Sequence, residues 1–505
     1  MGSNLGQANI DNTFRPILFS LIFSLLIFLI VYLFTREINL AGIISLVLLL
    51  AFFSYGHVFT ILDGYRPFGI RLSRNSILLL LYLILVSGLI YWVYRKRDAV
   101  KNITPYINIA ALVLLILPVF QIGNYSVNGV RIDTKKIENQ TIKLPAILPN
   151  NIKKPDIYLI VLDGYNREDT LKSYFNYDNS EFISDLRKMG FKVADCSMSN
   201  YNQTRLVLAS ELNLDYMDKF FPLQEKLSYQ QTSTKVLSDN SVRRLLENSG
   251  YQTYVYDDLY YPFLKWEHVE HILSSANSNP WSRDLTAFET MFLDSTFLKV
   301  ITLYRPKFIK EMQNLDTENV SSTPDSVTNY LANRAIYMLD TLPELAKEKS
   351  PKFVYAHFTV THTPFVFTSD GKIIDKKYRS RMDDALFKEG YNNQVDFING
   401  RLLPVLQKII DTSKEPPIII LESDHGIENY IIIGEPNRPN QNLIAIYMPG
   451  VKNDLNPKIS PVNIFRYVFN NYFGLNLPYL DDISYQINNN DYSLQQVTDD
   501  APGCR

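Results

Sequence analysis

The sequence predicts an α/β protein in which N-terminal transmembrane helices precede a helix/sheet/helix domain with a mainly parallel central sheet. Two observations support this prediction. Long apolar runs without charged residues fill the first quarter of the 505 residues. Short β-rich runs then alternate with amphipathic helical stretches. The predicted segments are a membrane anchor at 1–126, a linker at 127–154, a globular domain at 155–480 and a C-terminal tail at 481–505.

The membrane anchor is predicted to contain about four helices. The apolar runs at 17–34, 38–62, 75–94 and 102–130 contain no Asp, Glu, Lys or Arg. A helix needs roughly 20 apolar residues to cross the hydrocarbon core. Buried core helices are the alternative, but four such runs in succession would have nothing to cover them. Four spans place both ends of the anchor on the same side of the membrane.

Basic residues in the loops predict which side that is, because cytoplasmic loops carry an excess of Lys and Arg. The loops of one side contain Arg36, Arg95, Lys96, Arg97 and Lys101. The other side has Arg15, Arg66, Arg71 and Arg74. The excess of one charge places the globular domain outside the cytoplasm.

Overall charge and cysteine content exclude several classes of protein. The formal net charge of −2 provides no basic face for nucleic acid. Two cysteines, Cys196 and Cys504, are too few for a disulfide scaffold or a Cys-based zinc site. Whether they pair in an oxidising compartment is left open by the sequence.

The globular domain has the pattern of a buried parallel sheet. Its β-rich runs are apolar on both faces, which is typical of parallel strands covered by helices on each side. The predicted strands lie at 156–164, 191–197, 251–258, 352–358, 417–424 and 442–450. Helical patterns lie between them, at 179–190, 241–250 and 391–411. In such sheets, ligands bind at the carboxyl ends of the strands.

Acidic and imidazole side chains follow three of these strands. Asp163 ends the first, Asp424 and His425 end "IIILESD", and His357 and His362 lie at the end of "FVYAHFTVTHTPF". Clustered carboxylates repel one another, and a divalent cation is the usual compensation. A set of two carboxylates and an imidazole favours one zinc or manganese ion over calcium. Taken singly, an Asp-Gly after a strand is more often an ordinary turn.

A candidate nucleophile lies in "SNYNQTRLVLAS", residues 199–210. The helical pattern begins at Arg205, so Thr204 is predicted at a helix N-terminus, where backbone N–H groups favour an anion. A hydroxyl in that position loses its proton more easily, especially beside a metal ion. The alternative is that Thr204 is only a helix N-cap, and local sequence alone favours that reading.

Together, "LIVLDGY", "SNYNQTRLVLAS", "HFTVTHTPF" and "SDHG" resemble the alkaline-phosphatase-like superfamily. The resemblance is to its sulfatase-like branch of lipoteichoic acid synthases and phosphoethanolamine transferases, and it covers roughly 155–475. It implies that Asp163, Thr204, Asp424 and His425 bind one metal ion and that Thr204 is the nucleophile. His362 matches the histidine that faces the substrate. We also expect Arg205 and His357 to contact the substrate.

The sequence also departs from neighbouring branches of that superfamily. Thr204 stands in "QTRLV" instead of the C/S-x-P-x-R context of sulfatases, which argues against sulfate-ester hydrolysis. None of the six histidines follows His425, so a second metal site lacks its usual ligand. Common members of the anchored branch have five membrane spans and often Glu where this chain has Asp163.

We therefore expect a membrane-anchored, metal-dependent transferase. It would move a phosphoglycerol or phosphoethanolamine type head group from a phospholipid donor to a glycan or sugar acceptor of the cell envelope. The route is a phospho-threonine intermediate at Thr204, with His362 as proton shuttle. The expected location is a bacterial-type inner membrane, multi-pass, with the domain outside. The alternatives are a membrane-tethered phosphodiesterase or phosphatase, and a catalytically inactive binding module.

Overall fold

The computed structural model describes residues 14–504 apart from several segments. These are 63–74, 129–141, 220–232, 259–265, 267–268, 275–286, 301–325, 375–383, 428–437, 489–492, 500 and 502–503. The chain forms two compact units. The first comprises Met1–Gly129 and Leu285–Ser321, and the second comprises Val130–Asp284 and Ser322–Arg505.

The described helices and strands are numbered in chain order. The helices are α1 (Phe14–Thr35), α2 (Ile38–Leu62), α3 (Asn75–Arg95), α4 (Arg97–Asn128), α5 (Glu168–Phe175), α6 (Ser180–Lys188), α7 (Thr204–Asn213), α8 (Ser241–Asn248), α9 (Ala287–Ser295), α10 (Ser326–Thr341), α11 (Asp384–Thr412) and α12 (Pro461–Phe473). The strands are β1 (Ile157–Leu162), β2 (Lys192–Val193), β3 (Gln252–Tyr256), β4 (His271–Leu273), β5 (Lys352–Phe358), β6 (Ile418–Glu422), β7 (Ile444–Tyr447), β8 (Ser484–Ile487) and β9 (Leu494–Val497).

The first unit contains the predicted apolar helices. Helices α1 to α4 are all long and apolar enough to cross a membrane. Most of their large apolar side chains are exposed, as lipid-facing side chains are. Part of the predicted linker at 127–154 lies outside the described residues. Helix α9, which the sequence analysis did not predict, also belongs to this unit.

The second unit is built on a seven-stranded sheet in the order β2-β7-β6-β1-β5-β3-β4. Strand β7 pairs antiparallel with both β6 and β2, whereas the pairs of β1, β3, β4, β5 and β6 with one another are parallel. The predicted mainly parallel sheet is confirmed. All six predicted strands lie in it.

Both faces of the sheet are covered. Along β1, Ile157, Leu159 and Val161 pack into one hydrophobic core with α7, α8 and α12. The alternate residues of β1 pack into a second core with α5, α6, α10 and α11. Successive side chains of a strand point to opposite faces, so β1 must be apolar throughout. The helix/sheet/helix layers are therefore confirmed.

Strand β1 lies in the middle of the sheet, between β5 and β6. Val161 is opposite His357 on one side and Glu422 on the other. These parallel strands therefore end at nearly the same level. Residues that follow them, such as Asp163 and Asp424, are brought together at one edge of the sheet.

The predicted tail at 481–505 contains regular structure. Strands β8 and β9 form an antiparallel hairpin, with Ser484 opposite Val497. Cys196 and Cys504, whose pairing the sequence left open, form a disulfide. The hairpin and the disulfide join the end of the chain to the segment that precedes α7.

Candidate metal centre

Asp163 is held at the end of β1 by its own backbone. Its N–H donates to the carbonyl of Phe358 at 2.8 Å, which continues the pairing of β1 with β5. The next residue, Gly164, has a φ of +73°, and a Cβ there would lie 3.4 Å from the carbonyl oxygen of Thr361. The Gly164 N–H donates to Asp424 Oδ1 at 3.3 Å. The Asp-Gly pair thus forms a turn and also places the Asp163 carboxylate beside Asp424.

Asp424 and His425 follow β6. Ser423, just before them, donates its hydroxyl to the Tyr165 carbonyl at 2.5 Å. His425 Nδ1 lies 2.6 Å from the carbonyl oxygen of Gly426. Because a carbonyl can only accept, Nδ1 carries the hydrogen and Nε2 presents its lone pair. This is the tautomer that a metal-binding histidine needs.

Thr204 is the first residue of α7, as the helical pattern predicts. The preceding residue, Gln203, has extended backbone and makes no side-chain cap hydrogen bond. Thr204 Oγ1 lies 3.1 Å from His425 Nε2. The threonine hydroxyl therefore faces the imidazole lone pair at the positive end of a ten-residue helix.

Three of the predicted ligands, Asp163, Asp424 and His425, converge, and Thr204 adjoins His425. His425 Nε2 lies 3.4 Å from Asp424 Oδ2 and 3.8 Å from Asp163 Oδ1. One ligand atom from each of these three residues falls within 4.8 Å of the others, and all three residues are buried. Two buried carboxylates this close are unfavourable without a positive charge. Among the described residues, Asp424 Oδ2 has no hydrogen-bond donor. The donor set fits one divalent cation.

His357 lies behind Asp163. Its Nε2 is 3.8 Å from Asp163 Oδ2, whereas His425 approaches the other carboxylate oxygen. The side chain of His357 is fully buried in the middle of the sheet. It contacts a predicted ligand and has no surface open to solvent.

The other two predicted substrate contacts are more accessible. His362 is half-buried, and its Nδ1 lies 2.6 Å from the carbonyl oxygen of Thr363. The Nδ1 therefore carries the hydrogen, which leaves Nε2 as the proton-accepting nitrogen. A Cβ at Gly164 would be 3.8 Å from the His362 Cα, so His362 borders the turn after Asp163. Arg205 is half-buried in the first turn of α7.

The segment before Thr204 is fixed by hydrogen bonds that sequence reasoning missed. Asn200 donates to the Tyr216 hydroxyl at 3.0 Å and to the Ser460 hydroxyl at 2.9 Å. The backbone N–H of Ile487, in β8, donates to Asn202 Oδ1 at 3.0 Å. These asparagines are buried. Their repeated occurrence just before a helix is the signal that could have indicated a fixed loop.

A second buried acidic pair lies beneath the site. Glu211 in α7 and Glu422 in β6 are both fully buried. Burial raises the pKa of the Glu211 carboxyl well above its usual value and raises the pKa of Glu422 to about 8. The nearby Asp424 carboxylate raises both values further. The sequence signal that could have indicated this pair is an acidic residue within each of two otherwise apolar segments.

Comparison with known proteins gives distant likenesses only. No protein-family model matches the sequence, and no curated protein matches it. Among solved structures, the chain is similar to the C-terminal periplasmic domain of EcEptC from Escherichia coli, with 12% identity and a TM-score of 0.42 over 70% of this chain and 96% of that one. It is similar to the lipoteichoic acid synthase LtaP from Listeria monocytogenes, with 13% identity and a TM-score of 0.40 over 70% and 82%. It is also similar to the lipooligosaccharide phosphoethanolamine transferase EptA from Neisseria meningitidis, with 12% identity and a TM-score of 0.39 over 90% and 86%.

Proposed function

We propose that the protein is a membrane-anchored, metal-dependent transferase that moves a phospho-head-group from a phospholipid to a cell-envelope glycan. One observation carries the proposal. The Thr204 hydroxyl lies 3.1 Å from His425 Nε2, beside two buried carboxylates and at the start of a helix. A threonine that only caps a helix does not require an imidazole and two buried carboxylates beside its hydroxyl.

Asp163, Thr204, Asp424 and His425 would hold a single divalent ion, manganese or zinc. When bound, such an ion lowers the pKa of a coordinated hydroxyl and offsets charge on a phosphoryl group. The N-terminus of α7 adds backbone N–H groups that favour the same anion. A phosphodiester is the substrate class that matches this combination of hydroxyl nucleophile and anion-binding surroundings.

The reaction proceeds in two displacements at phosphorus. In the first, Thr204 Oγ bonds to the phosphorus of the donor lipid and the bond to the diacylglycerol oxygen breaks. The threonine proton passes by way of His362 Nε2 to the leaving alkoxide. In the second, the acceptor hydroxyl gives its proton to His362 Nε2 and bonds to phosphorus as the bond to Thr204 Oγ breaks. His362 then gives this proton to Thr204 Oγ, which restores the threonine hydroxyl and the neutral imidazole, and the head group with its phosphate resides on the acceptor.

The compartment follows from the anchor and the disulfide. Four helices of membrane-spanning length tether the chain to a bilayer, which supplies the lipid donor. The disulfide between Cys196 and Cys504 needs an oxidising environment. The disulfide supports a domain outside the cytoplasm, and the one-residue excess of Lys and Arg in the loops on the opposite side of the membrane agrees with it.

Product analysis tests this proposal against its alternatives. The purified full-length protein, loaded with manganese or zinc, is incubated with head-group-labelled phosphatidylglycerol or phosphatidylethanolamine and an envelope glycan fraction. We expect label on the glycan. Release of labelled head group or phosphate into water, with no labelled glycan, would favour the phosphodiesterase or phosphatase.

Two controls complete that experiment. Chelation of the metal should stop the transfer, and restoration of the ion should recover it. If no label moves from either lipid while the ion is bound, the binding-module alternative replaces the transferase.

A further inference from the structure

Helix α9 and the turn after it form a segment, Ala287–Val300, that packs on membrane helices of the first unit. We call it the return segment. The ring of Phe292 meets Phe19 of α1 at a centroid distance of 6.1 Å and Phe53 of α2 at 6.2 Å. Phe297 contacts Tyr55 at 5.2 Å, and Tyr55 is fully buried. Aromatic side chains from two helices thus surround the return segment.

The backbones of the return segment and α2 also touch. The N–H of Phe297 donates to the carbonyl of Phe52 at 2.7 Å. A Cβ added at Gly56 would lie 2.0 Å from the Asp294 carbonyl oxygen and 2.7 Å from the Ser295 Cα. Only glycine allows this approach, so Gly56 is the contact point between the two segments.

Charged groups hold both ends of the contact. Arg15 Nε lies 3.0 Å from Glu289 Oε1, and Glu289 is buried. At the other end, Lys299 Nζ lies 3.2 Å from Thr60 Oγ1 and over the ring of Phe59. Basic side chains that keep the charged group near water while the stem lies on apolar or aromatic surface are typical of the membrane interface.

All these contacts are at one end of the helical bundle. They involve Arg15 and Phe19 near the start of α1, and residues 52–60 near the end of α2. Helices α1 and α2 are joined by only Arg36 and Glu37, so the start of α1 and the end of α2 face the same side. The return segment therefore lies at the end of the bundle that contains the start of α1 and the end of α2.

The chain before Leu285 and the chain after Ser321 belong to the second unit. The connecting sequences, 274–286 and 301–325, are polar and contain several charged residues. Neither contains an apolar run that could carry the chain through a hydrocarbon core. The return segment must therefore lie on the same side of the membrane as the second unit.

We infer that the return segment anchors the chain at the outer membrane interface and that the N-terminus lies outside, on the side of the second unit. Helix α3 then leads to the cytoplasmic side, and α4 must cross back. The four described membrane helices then make four crossings, with the start of α1 and the end of α4 outside. Arg36, Arg95, Lys96, Arg97 and Lys101 then lie on the cytoplasmic side, where they exceed the basic residues of the outer loops by one, in the direction that the positive-inside rule favours.

Cysteine labelling in whole cells tests the sidedness. Both native cysteines are in the disulfide, so a single introduced cysteine is the only reactive thiol. Ser3→Cys reports the N-terminus, and Ala99→Cys reports the start of α4. With a membrane-impermeant maleimide on intact spheroplasts, we expect Ser3→Cys to be labelled and Ala99→Cys to be labelled only after permeabilisation. The reverse pattern would overturn the inference.

A glycine pair tests the docking. Gly56→Ala should expel the return segment, whereas Gly42→Ala in the same helix should not, because a Cβ at Gly42 meets nothing within 4 Å. We expect the Phe297 amide of the full chain in nanodiscs to exchange at least about tenfold faster in Gly56→Ala than in Gly42→Ala. Equal exchange would refute the docking. If the Gly56→Ala protein does not accumulate, hydrogen exchange of the wild type tests the docking instead. A Phe297 amide that is not protected from exchange in the wild type would also refute the docking. Neither test depends on catalysis, so the proposed function can fail independently.

Discussion

At the scale of single residues, the environment of Thr204 separates a nucleophile from a helix cap. Local sequence favours the cap, because a threonine before a helical pattern commonly caps it. In the fold, Thr204 Oγ1 faces His425 Nε2, and the carboxylates of Asp163 and Asp424 lie beside that nitrogen. Three segments far apart in sequence produce this arrangement, which explains why local sequence could not decide it.

Replacement of Thr204 by Ala should abolish turnover. Loss of the attacking oxygen removes the first displacement, so we expect kcat to fall by at least about 1,000-fold. Ser210→Ala is the matched control, since Ser210 is a buried residue of the same helix whose hydroxyl donates to the Val207 carbonyl. Its kcat should stay within a few-fold of wild type. Unchanged turnover in Thr204→Ala would move the nucleophile elsewhere.

For His357 we propose a positioning role instead of substrate contact. It is fully buried and 3.8 Å from Asp163 Oδ2, so it acts on the substrate only through that carboxylate. His357→Gln should weaken metal binding by about 10- to 100-fold, measured by titration with zinc or manganese. His271→Gln, at the edge strand and stacked on Tyr254, is the control. A raised KM with unchanged metal affinity would instead restore the substrate contact.

At the scale of elements, the C-terminal hairpin supports the loop that delivers Thr204. The N–H of Tyr485 in β8 donates to the Asn200 carbonyl at 2.9 Å, and that of Ile487 donates to Asn202. Sequence reasoning predicted a tail here. Strands β8 and β9 are short and largely polar, so they lack the apolar run by which the sheet strands were predicted.

An ion pair near the end of the chain makes the stability of this region dependent on pH. Burial alone would raise the pKa of Asp499, but hydrogen bonds from Arg167, Gln441 and the Ala501 N–H hold the pKa below its ordinary value. Because folding lowers this pKa, the charged carboxylate stabilises the folded state at pH values above the ordinary pKa of about 3.9. This stabilisation is lost as the pH falls through the folded-state pKa.

Asp499→Asn should therefore destabilise the protein at neutral pH and hardly at all at low pH. We expect a loss of about 2 kcal/mol at pH 7, where Arg167 loses a charged partner at 2.7 Å. The loss should shrink below about pH 4. Thermal unfolding in detergent at both pH values measures this, with Asp185→Asn, in an exposed pair with Lys188, as control. An equal difference at both pH values would contradict the assignment.

Across the whole molecule, local sequence patterns predicted the helix/sheet/helix layers but not the long-range contacts. Apolar runs located the four membrane helices and the six predicted strands, because burial on both faces leaves a clear mark in sequence. The convergence of Asp163 and Asp424 also followed, since parallel strands end at one edge. Contacts such as Gly56 with Asp294 depend on backbone approach between distant segments and leave no periodic signal.

The disulfide should contribute substantially to stability. It joins residues separated by 308 positions, and closing so long a loop restricts the unfolded chain by up to about 5 kcal/mol. Replacing both Cys196 and Cys504 by Ser should lower the thermal midpoint in detergent, and a reductant should lower that of the wild type equally. No shift in either experiment would show that the pair is reduced in the membrane-bound protein and would remove this support for an outside domain.

The central claim is that Thr204 receives the phospho-head-group with the help of a divalent ion. The most direct measurement is peptide mass spectrometry of the full-length, metal-loaded protein, quenched in acid during turnover of a labelled phospholipid without acceptor. We expect a head-group phosphate on the peptide that contains Thr204, absent after chelation and absent in Thr204→Ala. Turnover without any adduct on that peptide, or an adduct on another residue, would contradict it.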